Sequence, residues 1–366
     1  MNANGASKGE LQMAREELRG KIQTVTGPID AERLGVTLTH EHLIVDLESI
    51  FTEPPAPDQK ALAYEKVDMS NLGWLRYNPF MNLDNIRLLD EQEAVEEARL
   101  FKQAGGSSIV DCTLDDIGRD PESLARISLS TGLNVIMGCG YYTAPSHRPG
   151  MSEKSAEEIE DELVRDLIVG VGDSGIKAGF IGEIGCSWPL DGIERRVLRA
   201  AARAQQRTGA CLSIHPGRHP DAPFEICDIV ADAGGDLSRT VICHIDVRLR
   251  EHADRCRLAQ TGVTLEYDVF GWEGHFPSYW TQDDYMDIPN DTERIYEILA
   301  LIREGHLEQL LISQDICRKS ARACYGGWGY GHISNYVVPM MRQRGISQEQ
   351  IDTIMIANPR RLFSFV

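Results

Sequence analysis

His40 and His42 flank Glu41 at the end of the short run Gly35–Thr39. In an extended strand alternate side chains share a face, so both imidazoles point one way and Glu41 the other. Two neutral imidazoles on one face can bind one metal ion. A lone His-x-His also occurs in ordinary strands, so its weight comes from its company. Glu183, His215, His244 and Asp315 fall at the ends of later β-rich runs. Singly, His215 and His244 suit satisfied core histidines, and Glu183 and Asp315 suit helix caps or ion pairs. Together, the six nitrogen and oxygen ligands exceed one tetrahedral site, whereas two metals sharing a bridging carboxylate use them all. Buried without a metal, such charges would be costly.

The elements that must position them alternate along the chain. The β-rich runs are 36–41, 107–113, 134–139, 179–184, 210–215, 240–245, 263–268 and 309–315. Apolar residues at three- and four-residue spacing predict helices near 91–104, 121–131, 154–171, 191–208, 223–234, 248–260 and 292–305, with a closing pair near 334–344 and 347–356. Strands each followed by a helix predict an α/β chain of the (β/α)8 TIM-barrel class; the first run lacks the Gly-rich phosphate turn of a doubly wound sheet. In such a barrel the C-terminal strand ends converge on one face, and all six candidates lie there. A segment of about 45 residues separates the first strand from the first helix, far beyond an ordinary βα loop. It carries Pro54, Pro55, Pro57, Trp74, Tyr77 and Phe80, and reads as a lid or pocket wall, or equally as a surface excursion or dimer contact.

Bulk composition narrows the class. The chain has 366 residues, 42% of them hydrophobic and 25% charged, enough for a large core. A net charge of −19 leaves no basic stripe for nucleic acid or an anionic membrane surface. The nine cysteines lack metal-finger spacing and read as reduced, mostly buried thiols. With no secretory h-region and no membrane-length apolar stretch, the expectation is a cytoplasmic protein. Residues 1–20 read as a mobile or helical extension and 21–366 as a single barrel domain.

The segments GVTLTHEHL, FIGEIGCSWPL, SIHPGR, ICHID, ISQDI, GGWGYGHI and ANPRRLF, spread over nearly the whole chain after residue 20, resemble the phosphotriesterase-related branch of the amidohydrolase superfamily. The resemblance implies that His40, His42 and Asp315 hold one metal and His215 and His244 a second, with a carboxylate and a hydroxide bridging them. It also makes a homodimer plausible. Phosphotriesterases and related lactonases place a carboxylated lysine on the fourth strand; here Gly182 stands at that position and Glu183, three atoms shorter, must supply the bridge. The centre then needs no carbon dioxide. Lys177 lies six residues earlier, at about 3.3 Å per residue, towards the opposite strand end.

Two divalent cations sharing a water can give a hydroxide nucleophile near neutral pH and polarise the substrate oxygen. Asp315 is the carboxylate placed to orient it and accept its proton. Zinc is the first expectation, with manganese, cobalt and iron compatible with the same ligands. Arg218, after His215-Pro-Gly, would offer a bidentate donor to an anionic substrate group. Tyr142, Tyr267 and Trp272 are expected to line the pocket, as could Tyr141 and Trp328. Arg318 and His332 are weaker loop candidates, and His147 and His219 read as solvated. Glu41 is expected to support the barrel, and Asp246 to bind behind His244 or cap a helix. The predicted activity is hydrolysis of a small carboxylic amide, ester or lactone. The alternatives are phosphotriester or phosphodiester hydrolysis and a non-catalytic metal-stabilised binding protein.

Overall fold

The computed structural model describes residues 8–276 and 286–366. Eight parallel strands lie side by side in chain order: β1 (Thr37–Glu41), β2 (Ser108–Asp111), β3 (Asn134–Cys139), β4 (Phe180–Gly185), β5 (Leu212–His215), β6 (Thr240–Ile242), β7 (Thr264–Tyr267) and β8 (Leu310–Ile312). The sheet curls until β8 meets β1. There Thr39 Oγ1 donates to Ile312 O (3.4 Å), His40 N to Ser313 Oγ (2.9 Å) and Asp315 N to His40 O (3.1 Å). This is the near-closed (β/α)8 barrel that the alternating runs predict.

The barrel helices are α1 (Glu91–Gln103), α2 (Pro121–Thr131), α3 (Ala156–Ile168), α4 (Gly192–Thr208), α5 (Ala222–Asp232), α6 (His252–Ala259) and α7 (Asp291–Arg303). Their starts are chemically marked. Asp90 caps α1, Asp120 caps α2 with Pro121 at its first position, and Ser155/Glu158, Asp191/Glu194 and Asn290/Glu293 form reciprocal capping boxes. Each cap contributes about 1 kcal/mol. The predicted 154–171 helix stops at Ile168, because Gly170 turns at φ 130° against the Gly175 backbone, where a Cβ would clash. The predicted 248–260 helix is in two pieces: a turn at Ile245–Arg248, extended backbone at Leu249, then α6.

The two barrel ends differ. At the N-terminal end the inward side chains Val110, Ile136, Phe180, Cys211, Val241 and Leu311 pack with Ile22 and Ile29 of the hairpin Lys21–Thr24/Gly27–Asp30 and with Leu362 and Phe363 of the last helix. That end is sealed, so a site can open only at the other. Lys8–Leu18 of the predicted extension is helical and Arg15 Nε donates to Val366 O (2.9 Å); residues 1–7 lie outside the described residues. Among the described residues no helix is long and apolar enough to cross a membrane.

The segment between β1 and α1 forms a pocket wall. Its ends pair as Val45–Asp46 with Arg87–Leu88. Asn82 Nδ2 bridges Leu62 O (2.6 Å) and Glu65 O (2.8 Å), while Asn85 Nδ2 holds Pro79 O (2.7 Å). These side-chain amides replace the backbone ladder that the segment lacks. So fixed, it presents Leu47, Phe51 and Phe80 to the barrel mouth.

Candidate metal centre and active site

The six strand-end candidates meet at that mouth, and the backbone bends to bring them there. The β1/β2 ladder loses register between Leu38 and Glu41, and the β4/β5 ladder between Ile181 and Ile184. Both irregularities fall on a candidate ligand, His40 or Glu183, and such kinks re-aim side chains. His244 (φ 57°) and Asp315 (φ 49°) are the non-glycine residues in the left-handed region among those described, at about 1–2 kcal/mol each. Neighbours enforce them. Asp268 accepts from His244 N (3.0 Å), and Glu41 accepts from Ser313 Oγ (2.7 Å), Gln314 N (2.9 Å) and Ile316 N (2.9 Å). Glu41 thus holds the turn that carries Asp315.

Glu183 divides the cluster. Its Oε1 lies 3.4 Å from His40 Nε2 and 3.5 Å from His42 Nε2, while Oε2 lies 3.2 Å from His215 Nδ1 and 3.4 Å from His244 Nε2. Asp315 Oδ1 is 3.3 Å from His42 Nε2 and 3.9 Å from His40 Nε2. The outer ring nitrogens are engaged: His42 Nδ1 with Thr113 Oγ1 (2.9 Å), His244 Nδ1 with Asp268 Oδ1 (2.7 Å), and His40 Nδ1 with Asp268 Oδ2 (3.3 Å) and Glu266 Oε2 (3.4 Å). That fixes each ring with Nε2 turned inward. His40 Nε2 is buried with no hydrogen-bond partner.

Electrostatics agree with the geometry. Burial would raise the pKa of Glu183, but His40, His215 and His244 hold it well below the usual carboxylate range. Asp315 is likewise held down against burial, chiefly by His42. Burial depresses His215 to about 4, leaving its ring neutral. His42 and His244 rise to about 9 despite burial, drawn up by Asp315 and Glu183 and by Asp268 respectively. Protons and divalent cations compete for such nitrogens. The donors of His40, His42 and Asp315 lie within 4.8 Å of one another, as do those of His40, Glu183 and His244. This buried nitrogen and oxygen set suits divalent metal.

Gly182 is also explained. A Cβ there would stand 2.3 Å from Ser213 O, at a φ of 128°. This backbone therefore has no room for a lysine at the position expected from the carboxylated-lysine relatives, and the carboxylate arrives from the next residue.

A cavity of about 590 Å³ opens above the cluster. Tyr142, Trp272 and Arg218 line it, with Tyr142 Oη 3.3 Å from His215 Nδ1. Tyr267 does not. Along β7 Leu265 and Tyr267 face the helices while Glu266 and Asp268 face the barrel interior, so Tyr267 is wholly buried in the outer core. Tyr141 bonds to Glu162 instead, Trp328 lies outside the cavity against His332, and His332 pairs with Asp291 (2.6 Å). Arg318 stacks over Trp272 at 3.5 Å. His147 is not solvated: it is largely buried, with Nε2 2.8 Å from Tyr142 O. His219 stacks on Trp188 at 4.4 Å. Asp246 neither backs His244 nor caps by its side chain; it pairs with Arg294 (2.7 Å).

Sequence reasoning missed Asp268, Glu266, Thr113 and Arg248. Asp268 was findable, since it closes the seventh run two residues after Glu266. Arg248, which lines the cavity, was concealed inside the predicted 248–260 helix.

The sequence model of the phosphotriesterase family matches residues 20–363. The N-acetyltaurine hydrolase of Xenopus tropicalis is 42% identical over 349 residues, covering 95% of this chain and 99% of that protein. The phosphotriesterase-related protein of Nematostella vectensis is 44% identical over 349 residues, covering 94% and 99%. Among solved structures, a resiniferatoxin-binding protein from Rhodobacter sphaeroides superposes with a TM-score of 0.91 at 38% identity, covering 95% of this chain and 96% of that one. With the match running almost end to end, through both the strand-end cluster and the sealed barrel floor, the chain belongs to the phosphotriesterase family and is a hydrolase of that family.

Proposed function

We propose that this chain is a two-metal hydrolase of small carboxylic substrates, foremost N-acyl amides that carry an acidic group. The observation that carries the reading is the division of Glu183, with one oxygen facing His40 and His42 and the other facing His215 and His244. In this reading His40, His42 and Asp315 would hold one cation, His215 and His244 another, and Glu183 both; zinc is the first expectation. Divalent cations bound there would supply Lewis acidity towards the scissile carbonyl and bring the pKa of a shared water towards neutrality.

The chain's own groups do the rest. Asp315, kept ionised by His42, accepts a proton at its carboxylate and returns it to the leaving nitrogen. Amide cleavage needs that return, because an amine leaves only when protonated. Tyr142 Oη stands in the cavity beside His215, able to donate to an oxygen that gains charge. Phe51, Phe80 and Trp272 give the cavity an apolar wall against which the acyl part of a substrate can pack. Arg218 supports an acidic group on the substrate, as does the relative named N-acetyltaurine hydrolase, whose similarity spans the same residues.

Turnover of N-acyl amino acids (N-acetyltaurine included), lactones and an aryl phosphotriester by the zinc- and manganese-loaded protein tests the reading. The expected result is highest kcat/KM on an acidic N-acyl amide. Turnover of the phosphotriester alone would contradict it.

A further inference from the structure

Two guanidinium groups reach the same cavity from neighbouring loops. Arg218 lies exposed at the rim after β5, and Arg248 ends the turn Ile245–Arg248 behind His244, only 8% exposed. Arg248 Nε donates to Pro216 O at 3.0 Å, and among the described residues no carboxylate lies within ion-pair distance of it. Burial, then the like charge of Arg218, lower its pKa to about 10, which still leaves it charged at neutral pH. Among the described residues the carboxylates that act on it, Asp268 and Asp246, lie beyond ion-pair distance, and a buried cation so placed beside a second cation is stabilised by an anion. Here the open side faces the cavity that also holds Glu183, His215 and Asp315.

We infer that Arg248 is a specificity residue: with Arg218 it receives the carboxylate or sulfonate head group of an N-acyl amino acid and sets the preference for acids over neutral amides. The inference rests on the amide-hydrolase reading above. Guanidinium forks suit such head groups because each presents paired N–H donors to two oxygens, and removal from water strengthens those bonds. Arg248, being the buried one, carries more of the discrimination than Arg218.

The test compares the zinc-loaded wild type with Arg248→Gln, Arg248→Lys and Arg218→Gln on N-acetyl-β-alanine, N-acetyltaurine and the neutral N-acetyl-β-alaninamide. In Arg248→Gln the acid-to-neutral ratio of kcat/KM should fall about 10- to 100-fold, through KM rather than kcat, as loss of a charged hydrogen-bonded contact requires. Arg248→Lys should recover part of the ratio, and Arg218→Gln should lower it less. The lower KM of the two acids identifies the head group. An unchanged ratio in both Arg248 variants overturns the inference while leaving the amide reading intact; a wild type that prefers the neutral amide overturns the inference together with the acidic-substrate part of that reading, leaving amide hydrolysis itself. Failure of the wild type on every amide overturns the amide reading instead. In that case calorimetric titration of the loaded protein with ethanesulfonate and propionate decides the subsite: binding weakened about tenfold or more by Arg248→Gln supports it, and equal or absent binding overturns it.

Discussion

Arg294 and Arg248 are both buried beside the turn that follows β6, yet Arg294 meets Asp246 at 2.7 Å and Asp291 at 2.8 Å, whereas Arg248 meets the Pro216 carbonyl. The Arg294 network continues through Asp291 to His332 and ties α7 to the start of the helical segment that begins at Ile333. Asp246 Oδ1 and Arg294 Nη2 lack hydrogen bonds, but the charges are matched. Histidines divide the same way. His332 Nε2 is closed by Asp291, while His40 Nε2, 3.4 Å from Glu183 Oε1, is buried without a hydrogen bond. Where charges are matched within the chain they hold the fold together. Where they stay open towards the cavity, something from outside completes them, a cation for the imidazoles and an anion for Arg248.

The largest effect expected is on Asp315, whose carboxylate belongs to the open side. Asp315→Asn should lower kcat about 10²- to 10⁴-fold, the usual worth of a positioned general base, with metal retained. Steady-state kinetics paired with metal analysis checks it; undiminished kcat would remove Asp315 from proton transfer. Next comes the pair that defines the contrast. Asp246→Ala leaves Arg294 with a poorly matched buried charge and should cost about 3–5 kcal/mol, whereas Arg248→Met should be neutral or stabilising by about 1–4 kcal/mol. Urea unfolding of both variants measures this, and equal destabilisation would break the distinction.

Asp268→Asn loosens both His40 and His244 and should weaken metal affinity about 10- to 100-fold, read by competition with a chelator. The smallest effect is acid sensitivity on the closed side. Burial opposes ionisation of Asp291, yet His332, the Gly271 amide and Arg294 hold its pKa below the ordinary value. Between the folded and unfolded pKa values the unfolded chain binds more protons, so this stabilisation is complete above the unfolded value and lost as pH falls through the folded one. Asp291→Asn should therefore flatten the acid limb of stability as pH falls below about 4, in urea unfolding at fixed salt. An unchanged limb would remove Asp291 from the stabilising network.

The barrel was legible because apolar runs and capped helices alternate along the chain, and the six candidates were legible because strand ends can be counted in sequence. What escaped depends on side-chain parity and on tertiary turns. In 264–267 the period of two already separates Leu265 and Tyr267 from Glu266, and extending it one residue assigns Asp268 to the inner face. Reading Tyr267 as a mouth residue weighed its position and ignored its parity. Arg248 had no such signal, since the apolar spacing of 245–260 is continuous while the backbone turns extended at Leu249. His147 was misplaced because its partner is a backbone carbonyl five residues away, which no residue type announces.

The central claim, that Glu183 would serve two metal ions together with His40, His42, His215 and His244, is tested most directly by metal content. Protein reconstituted with zinc and then desalted should retain about two equivalents per chain, and Glu183→Ala about one or fewer. A wild-type chain that never retains more than about one equivalent would contradict the account.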